Sequence, residues 1–373
     1  MRIGILTLPL HTNYGGILQA YALQTVLERM GHEVKVINLK QRFFLKWHMQ
    51  ILAVIKRMIY KYILGRKQTV IFVERKREEE YLIFSRLIQK FIDKHINSYN
   101  VKSYNCIKKE YFDLIVVGSD QIWRPRFNNK IEDAYLAFAE KWELKRIAYA
   151  ASFGTDIWEY SDAQTKRCYN LIKLFDNVSV REKSGIKLCK EHFCIHVDHV
   201  LDPSMLLKKD DYLYLLNKKN DETKHKYIMK YLLDETAVQK QIIDNISKAH
   251  GFEIKYFLTD FSVVPNHEKT MKKDSVESWL EGILYSDFVI TDSFHACVFS
   301  IIFQKEFFVF FNSTRGNTRI LSLIQQLGLI DRVISDDEQF EISEMKRIDY
   351  SIVQKRLDQL RIESMKFLSS SIN

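Results

Sequence analysis

Apolar positions along the chain change their spacing at regular intervals. Residues 2–8 form an apolar run without helical spacing and predict a strand. Leu18, Ala22, Val26 and Met30 then recur every four residues up to Gly31, which is placed like the residue just past a helix end, and 33–39 is β-like again. The loop Thr12-Asn13-Tyr14-Gly15-Gly16 lies where the first strand crosses into the first helix. Further β-like runs at 112–117, 145–153, 177–180 and 196–201 each end in a polar or glycine-containing loop. A second series restarts with strands at 227–233, 252–258, 288–291 and 307–311, separated by helical stretches at 235–250, 276–285, 295–303 and 319–327. In a parallel sheet such loops at strand ends border the ligand crevice. The pattern therefore predicts an α/β protein with two Rossmann-like domains facing a cleft. The first spans 1–207 with a basic helical insertion at about 40–100, 208–226 is a linker, and 227–373 is the second, ending in a helix at 342–368 that covers one domain or bridges both.

A length of 373 residues is too great for one ordinary core, and 46% hydrophobic content with 4 Pro and 12 Gly excludes a disordered or fibrous chain. Five cysteines without a C-x-x-C pair read as buried thiols of a reduced compartment, with neither a disulfide frame nor a zinc site. Met1 leads directly into a strand with no room for a signal peptide, so a cytoplasmic location is expected.

The net charge of +9 is concentrated in one segment. Residues 40–90 hold thirteen Lys or Arg against four Glu, an excess equal to that of the whole chain, and no acidic residue occurs between Lys40 and Val73. Aromatic and aliphatic residues alternate there with the cations, which is the composition of an amphipathic basic helix. Its longest uncharged apolar run, 51–55, is far shorter than a bilayer span. The segment either lies on an anionic membrane surface, making the protein peripheral on the inner face, or packs its apolar face on its own domain. No nucleic-acid-binding motif accompanies the charge, so nucleic acid is not an expected partner.

The candidate chemistry sits at strand ends. His295 follows the strand 288–291 and opens a helix, so its imidazole is suited to proton transfer in the crevice. Asp292 either orients that ring or caps the helix. Arg181 follows the strand 177–180, where a planar guanidinium can grip a carboxylate or phosphate in two contacts or pair with Glu182. Asp120 and Trp123 suit a sugar, the carboxylate taking hydroxyls and the indole stacking on the ring, although Trp123 equally suits a core. Asp198 and Asp202 bracket a strand end and read as turn residues or site residues alike. Arg315 and Arg319 follow the strand 307–311 toward the same crevice. Gly15 and Gly16 let backbone approach a substrate closely, yet their spacing fits neither G-x-G-x-x-G nor a Walker loop. No metal-ligand spacing is present, and no metal is expected.

Taken together, Thr12-Asn13-Tyr14-Gly15-Gly16-Ile17-Leu18-Gln19-Ala20-Tyr21, Gly118-Ser119-Asp120-Gln121-Ile122-Trp123, Ser179-Val180-Arg181-Glu182, Val200-Leu201-Asp202-Pro203-Ser204 and Thr291-Asp292-Ser293-Phe294-His295-Ala296 resemble the polysaccharide pyruvyl transferase family. The resemblance covers most of the chain in the right order, leaving 40–99 largely outside. It implies a fold like that of GT-B glycosyltransferases and transfer of pyruvate from phosphoenolpyruvate to two hydroxyls of a saccharide as a ketal, in surface glycan assembly, with no cofactor beyond the donor. By motif, Arg181 would hold the phosphoenolpyruvate anion and His295 its phosphate or a proton. Asn13, Tyr14, Gly15, Gly16, Asp120 and Trp123 are the expected acceptor side. Ser293 stands where the family pattern has an arginine for the donor, a role that Arg315 or Arg319 would then fill. The rival expectations are a glycosyltransferase of the same architecture using a nucleotide sugar, and a non-catalytic glycan-binding protein. The saccharide is expected on a lipid carrier if the basic segment meets the membrane.

Overall fold

The computed structural model describes residues 1–40, 43, 47–128, 130–216, 226–259, 272–312, 316–334 and 346–373. Two wholly parallel sheets form the frame. The first has seven strands in the order β3-β2-β1-β4-β5-β6-β7, with β1 Arg2–Leu6, β2 Glu33–Leu39, β3 Ser98–Val101, β4 Leu114–Val117, β5 Lys145–Ala151, β6 Asn177–Val180 and β7 Asp198–His199. The second has five in the order β12-β11-β10-β8-β9, with β8 Tyr227–Tyr231, β9 Glu253–Tyr256, β10 Phe288–Thr291, β11 Glu306–Phe310 and β12 Val333–Ile334. Strand order reverses between β1 and β4 in one sheet and between β8 and β10 in the other. Those switch points are where open α/β sheets leave a crevice at their carboxyl ends.

Helix α1, Tyr14–Arg29, starts directly from the loop after β1, where the Asn13 side chain caps it by accepting from the Gly15 amide. Gly31 follows its end at φ 87°, a conformation that glycine adopts without a Cβ penalty. In the second half, α7 (Ala237–His250), α8 (Val276–Leu284), α9 (Phe294–Ile302) and α10 (Thr318–Leu327) alternate with the strands. Every residue of α9 is buried. One apolar cluster runs without interruption from Ile3 and Leu18 in the first half to Trp279 and Phe299 in the second, while separate clusters fill the far face of each sheet. The two halves thus share a core and form the GT-B arrangement of two facing parallel-sheet units.

Several expectations are corrected. The helical segment after β2 ends at His95 with α3, Val73–His95, and the short polar strand β3 follows it inside the span assigned to helix. The segment proposed as a linker begins with packed structure: α6, Lys209–Leu213, buries Tyr212, whose hydroxyl donates to the Ser204 carbonyl. Residues 217–225 of that linker lie outside the described residues. All five cysteines are free, but Cys106 and Cys194 are exposed.

The terminal helix α11, Tyr350–Ile372, spans both halves. Near its start the Tyr350 hydroxyl donates to the Lys305 carbonyl; at its end the Ile372 carbonyl accepts from Lys145 Nζ and Ser364 Oγ accepts from the Leu201 amide. No helix of the described residues is long and apolar enough to cross a membrane.

Candidate functional site

The loops after β1, β4, β6, β7 and β10 meet at the seam between the halves, and Asp202 is at their centre. It follows β7 in a single turn capped by its own side chain, Oδ1 accepting from the Ser204 amide at 3.0 Å. Its Oδ2 accepts from Arg181 Nη1 at 2.6 Å and from Ser119 Oγ at 3.2 Å, and lies 3.7 Å from His295 Nε2. That last separation supports a charge interaction but is long for a hydrogen bond, and Nε2 has no hydrogen-bond partner among the described residues. Burial opposes ionisation of Asp202, yet the His295 ring and the Arg181 guanidinium outweigh it and hold the carboxyl well below the usual carboxylate range.

His295 is the second residue of α9 and is brought against the first half through Gly15. A methyl carbon on Gly15 would stand 2.1 Å from His295 Cγ and Nδ1, so only glycine admits the ring. This corrects the expectation that Gly15 exposes backbone to substrate. A Cβ on Gly16 would stand 3.5 Å from Asp120 Oδ2 and 3.4 Å from Asn13 Nδ2, which places the three side by side, Asn13 exposed and Asp120 buried.

Arg181 is buried, and its Nη2 lies 3.5 Å from Asp120 Oδ1 in addition to the Asp202 contact. Burial opposes its charge, but Asp202, Asp120 and Glu182 more than offset that and raise its pKa further. Its guanidinium carbon is 4.4 Å from the centre of the Phe294 ring, over which that of Arg319 also lies at 5.8 Å. Burial and the neighbouring Arg181 pull the Arg319 pKa down to about 10, still cationic at neutral pH. Arg315 lies outside the described residues. Glu182, fully buried, does not pair with Arg181; its Oε1 accepts from Ser152 Oγ, the Phe153 amide and the Gly154 amide, and burial raises its pKa. Two buried carboxyls in this region are therefore shifted in opposite directions, Asp202 down by its charge partners and Glu182 up by burial.

Other expected residues fall elsewhere. Trp123 is fully buried, stacked on Tyr135 with ring centres 5.0 Å apart, so it belongs to the core and offers no face to a sugar. Tyr14 is equally buried, stacked on Trp279 at 5.2 Å and donating to the Asp274 carbonyl; it joins the halves and does not line the rim. Asp292 neither caps α9 nor orients His295. Its oxygens accept from the Leu233 and Asp234 amides and from Asn312 Nδ2, tying the loops after β8 and β11. Ser293 precedes α9 with its amide donating to Thr291 Oγ1 and its side chain making no cap. Asp198 is exposed on β7, so of the two aspartates bracketing that strand only Asp202 is in the site. Ser119 was not foreseen, nor was His199, whose Nε2 lies 3.0 Å from the Arg181 carbonyl oxygen. A groove of about 620 Å³ lined by Lys183, Ile186, Lys187, Lys190, Glu191 and His199 adjoins the seam but contains none of Arg181, Asp202 or His295.

Fold and site together define a protein of two parallel-sheet α/β halves with a buried histidine at their junction. The polysaccharide pyruvyl transferase family model matches residues 13–314, and the chain belongs to that family. Among solved structures it is similar to UDP-GlcNAc 2-epimerase from Neisseria meningitidis bound to UDP-GlcNAc, at 12% identity and a TM-score of 0.47 over 100% of this chain and 94% of that one. A glycosyltransferase from Rickettsia africae is similar at 12% identity and 0.47, over 98% and 93%. No curated protein matches the chain significantly.

Proposed function

We propose that the protein transfers pyruvate from phosphoenolpyruvate to a saccharide as a ketal in surface glycan assembly, with the saccharide on a lipid carrier at the inner face of the membrane. A sugar hydroxyl adds to C2 of the enol phosphate and gives up its proton, while the methylene carbon takes one. Phosphate leaves and the second hydroxyl closes the ketal. The observation that carries this reading, beside family membership, is the buried His295 Nε2, which makes no hydrogen bond among the described residues and lies 3.7 Å from the Asp202 carboxylate that Arg181 also holds. Such a group is poised to deliver a proton or to meet a phosphate oxygen once substrate arrives. Arg181, through Asp202, holds the electrostatic frame of the ring; Arg181 and Arg319 form the cationic wall for the donor's carboxylate and phosphate. Arg319 takes the part of the arginine replaced at Ser293. Asn13, Gly16 and Asp120 form the acceptor rim.

Incubation of the protein with phosphoenolpyruvate and candidate lipid-linked saccharides is expected to release phosphate in step with a new ketal methyl signal. Ser293, buried without an arginine in its place, is the observation that favours the rival reading of a nucleotide-sugar glycosyltransferase. Thermal stabilisation by phosphoenolpyruvate supports the first reading. Stabilisation by nucleotide sugars alone, with no phosphate released, replaces it with the second.

A further inference from the structure

Helix α2, Trp47–Met58, continues as a π-helical turn, Ile59–Ile63, and contains no buried residue. Trp47, Ile51, Ile55 and Met58 recur at helical spacing, and all four are exposed, Trp47 at 77%. Tyr62 and Ile63 extend the stripe into the π turn at 70% and 75% exposure. A different side of α2, that of Arg57, is the one that meets the protein: Arg57 donates twice to Glu74 on α3, at 2.6 and 2.7 Å, and once to the Ile71 carbonyl. The helix is therefore pinned through its one neutralised cation, with its apolar stripe turned outward. Of the two alternatives for this segment, these exposures favour the one in which the apolar stripe faces away from its own domain.

We infer that the outward face of α2 is a docking surface for an anionic lipid bilayer, entered by the apolar stripe and held by Lys56, Lys61, Arg66 and Lys67. An interfacial helix needs such an exposed apolar face bordered by cations, and a contiguous apolar patch of this kind on a folded chain marks a binding surface. Charge decides the occupant. With no acidic residue between Lys40 and Val73, a two-fold contact with a second copy would set these cations against their own images, whereas anionic headgroups complement them. The segment also leaves β2 at the carboxyl edge of the first sheet, the edge that carries the site. The inference holds whichever donor the enzyme uses, and its test reads membrane binding without turnover.

Full-length protein is mixed with vesicles of pure phosphatidylglycerol or pure phosphatidylcholine and floated on a gradient. Binding to phosphatidylglycerol alone is expected. It should weaken as salt approaches 1 M, where the screening length falls to roughly 3 Å. Each cation removed should lower partitioning about fivefold, so Lys56→Gln, Lys61→Gln and Lys67→Gln combined should lose on the order of a hundredfold. Trp47→Ser with Ile55→Ser should lose binding at low salt too, with the thermal midpoint unchanged because both side chains are exposed. Absence of binding to phosphatidylglycerol, binding indifferent to the lysine changes, or a solution dimer that Trp47→Ser with Ile55→Ser dissociates would each overturn the inference.

Discussion

The His295 imidazole rests on the bare Cα of Gly15, two residues 280 positions apart that belong to opposite halves of the molecule. Gly15→Ala would drive a methyl group into the ring. The expected result is a stability loss of about 1–3 kcal/mol from overpacking and, because the ring must move by an ångström or so, a fall in kcat of roughly a hundredfold. Thermal melts paired with turnover at saturating substrate check it; full activity in a folded Gly15→Ala protein would remove His295 from the chemistry.

His295→Gln keeps most of the side-chain volume inside the buried helix α9 and removes the imidazole. Transfer is expected to drop by roughly 10²- to 10⁴-fold, the usual contribution of a general acid, while the melting temperature stays near that of the wild type. His295→Ala is the less informative variant, since the ring is 5% exposed and its loss opens a cavity.

Arg181→Met leaves Asp202 and Asp120 facing each other in the interior without their shared cation, at an expected cost of about 3–5 kcal/mol in urea unfolding. Arg181→Lys keeps the charge but not the fork. It should lose part of that stability and also raise the KM for phosphoenolpyruvate. A variant with lowered stability and an unchanged KM would assign the donor anion to Arg319 alone.

Arg319→Gln tests that second cation directly. Loss of one charge-assisted contact, about 1.5–3 kcal/mol, predicts a donor KM raised roughly tenfold to a hundredfold with the acceptor KM unaltered. Steady-state kinetics with each substrate varied in turn separates the two.

Acid unfolding reads Asp202. Its folded pKa lies below the ordinary 3.8, so it contributes stability that is complete above the unfolded value and is lost as pH falls through 3.8 toward the folded value. The stability gap between wild type and Asp202→Asn should therefore be widest near neutrality and narrow between about pH 5 and about pH 2. A gap that stayed constant over that range would mean that Asp202 does not titrate differently in the folded chain.

Most of the frame was legible because strand and helix periods differ and because parallel strands alternate with helices. β2, β6 and β10 occur over 33–39, 177–180 and 288–291, the spans that the spacing predicts. The short strands β3 and β12 escaped because four polar-leading residues or two carry no period. Asp202 was ambiguous for a physical reason: an Asp-Pro-Ser turn looks the same whether its carboxylate only caps the turn or also faces a charge partner. It does both, and the partners, Arg181 and His295, are distant in sequence. Trp123 failed as a sugar platform since nothing local announces that Tyr135 will cover it. For α2 the amphipathic spacing was plain, but spacing cannot say which side of a helix meets the protein; Glu74 decides that by claiming Arg57.

Because all nine residues of α9 are interior, the histidine at its start is carried by an element that has almost no freedom to drift under mutation. On the reading proposed above, divergence toward new acceptors is channelled outward, to exposed positions such as Asn13, where a changed side chain leaves that interior helix in place. An engineer seeking a different saccharide would randomise that outer border and leave the interior helix alone.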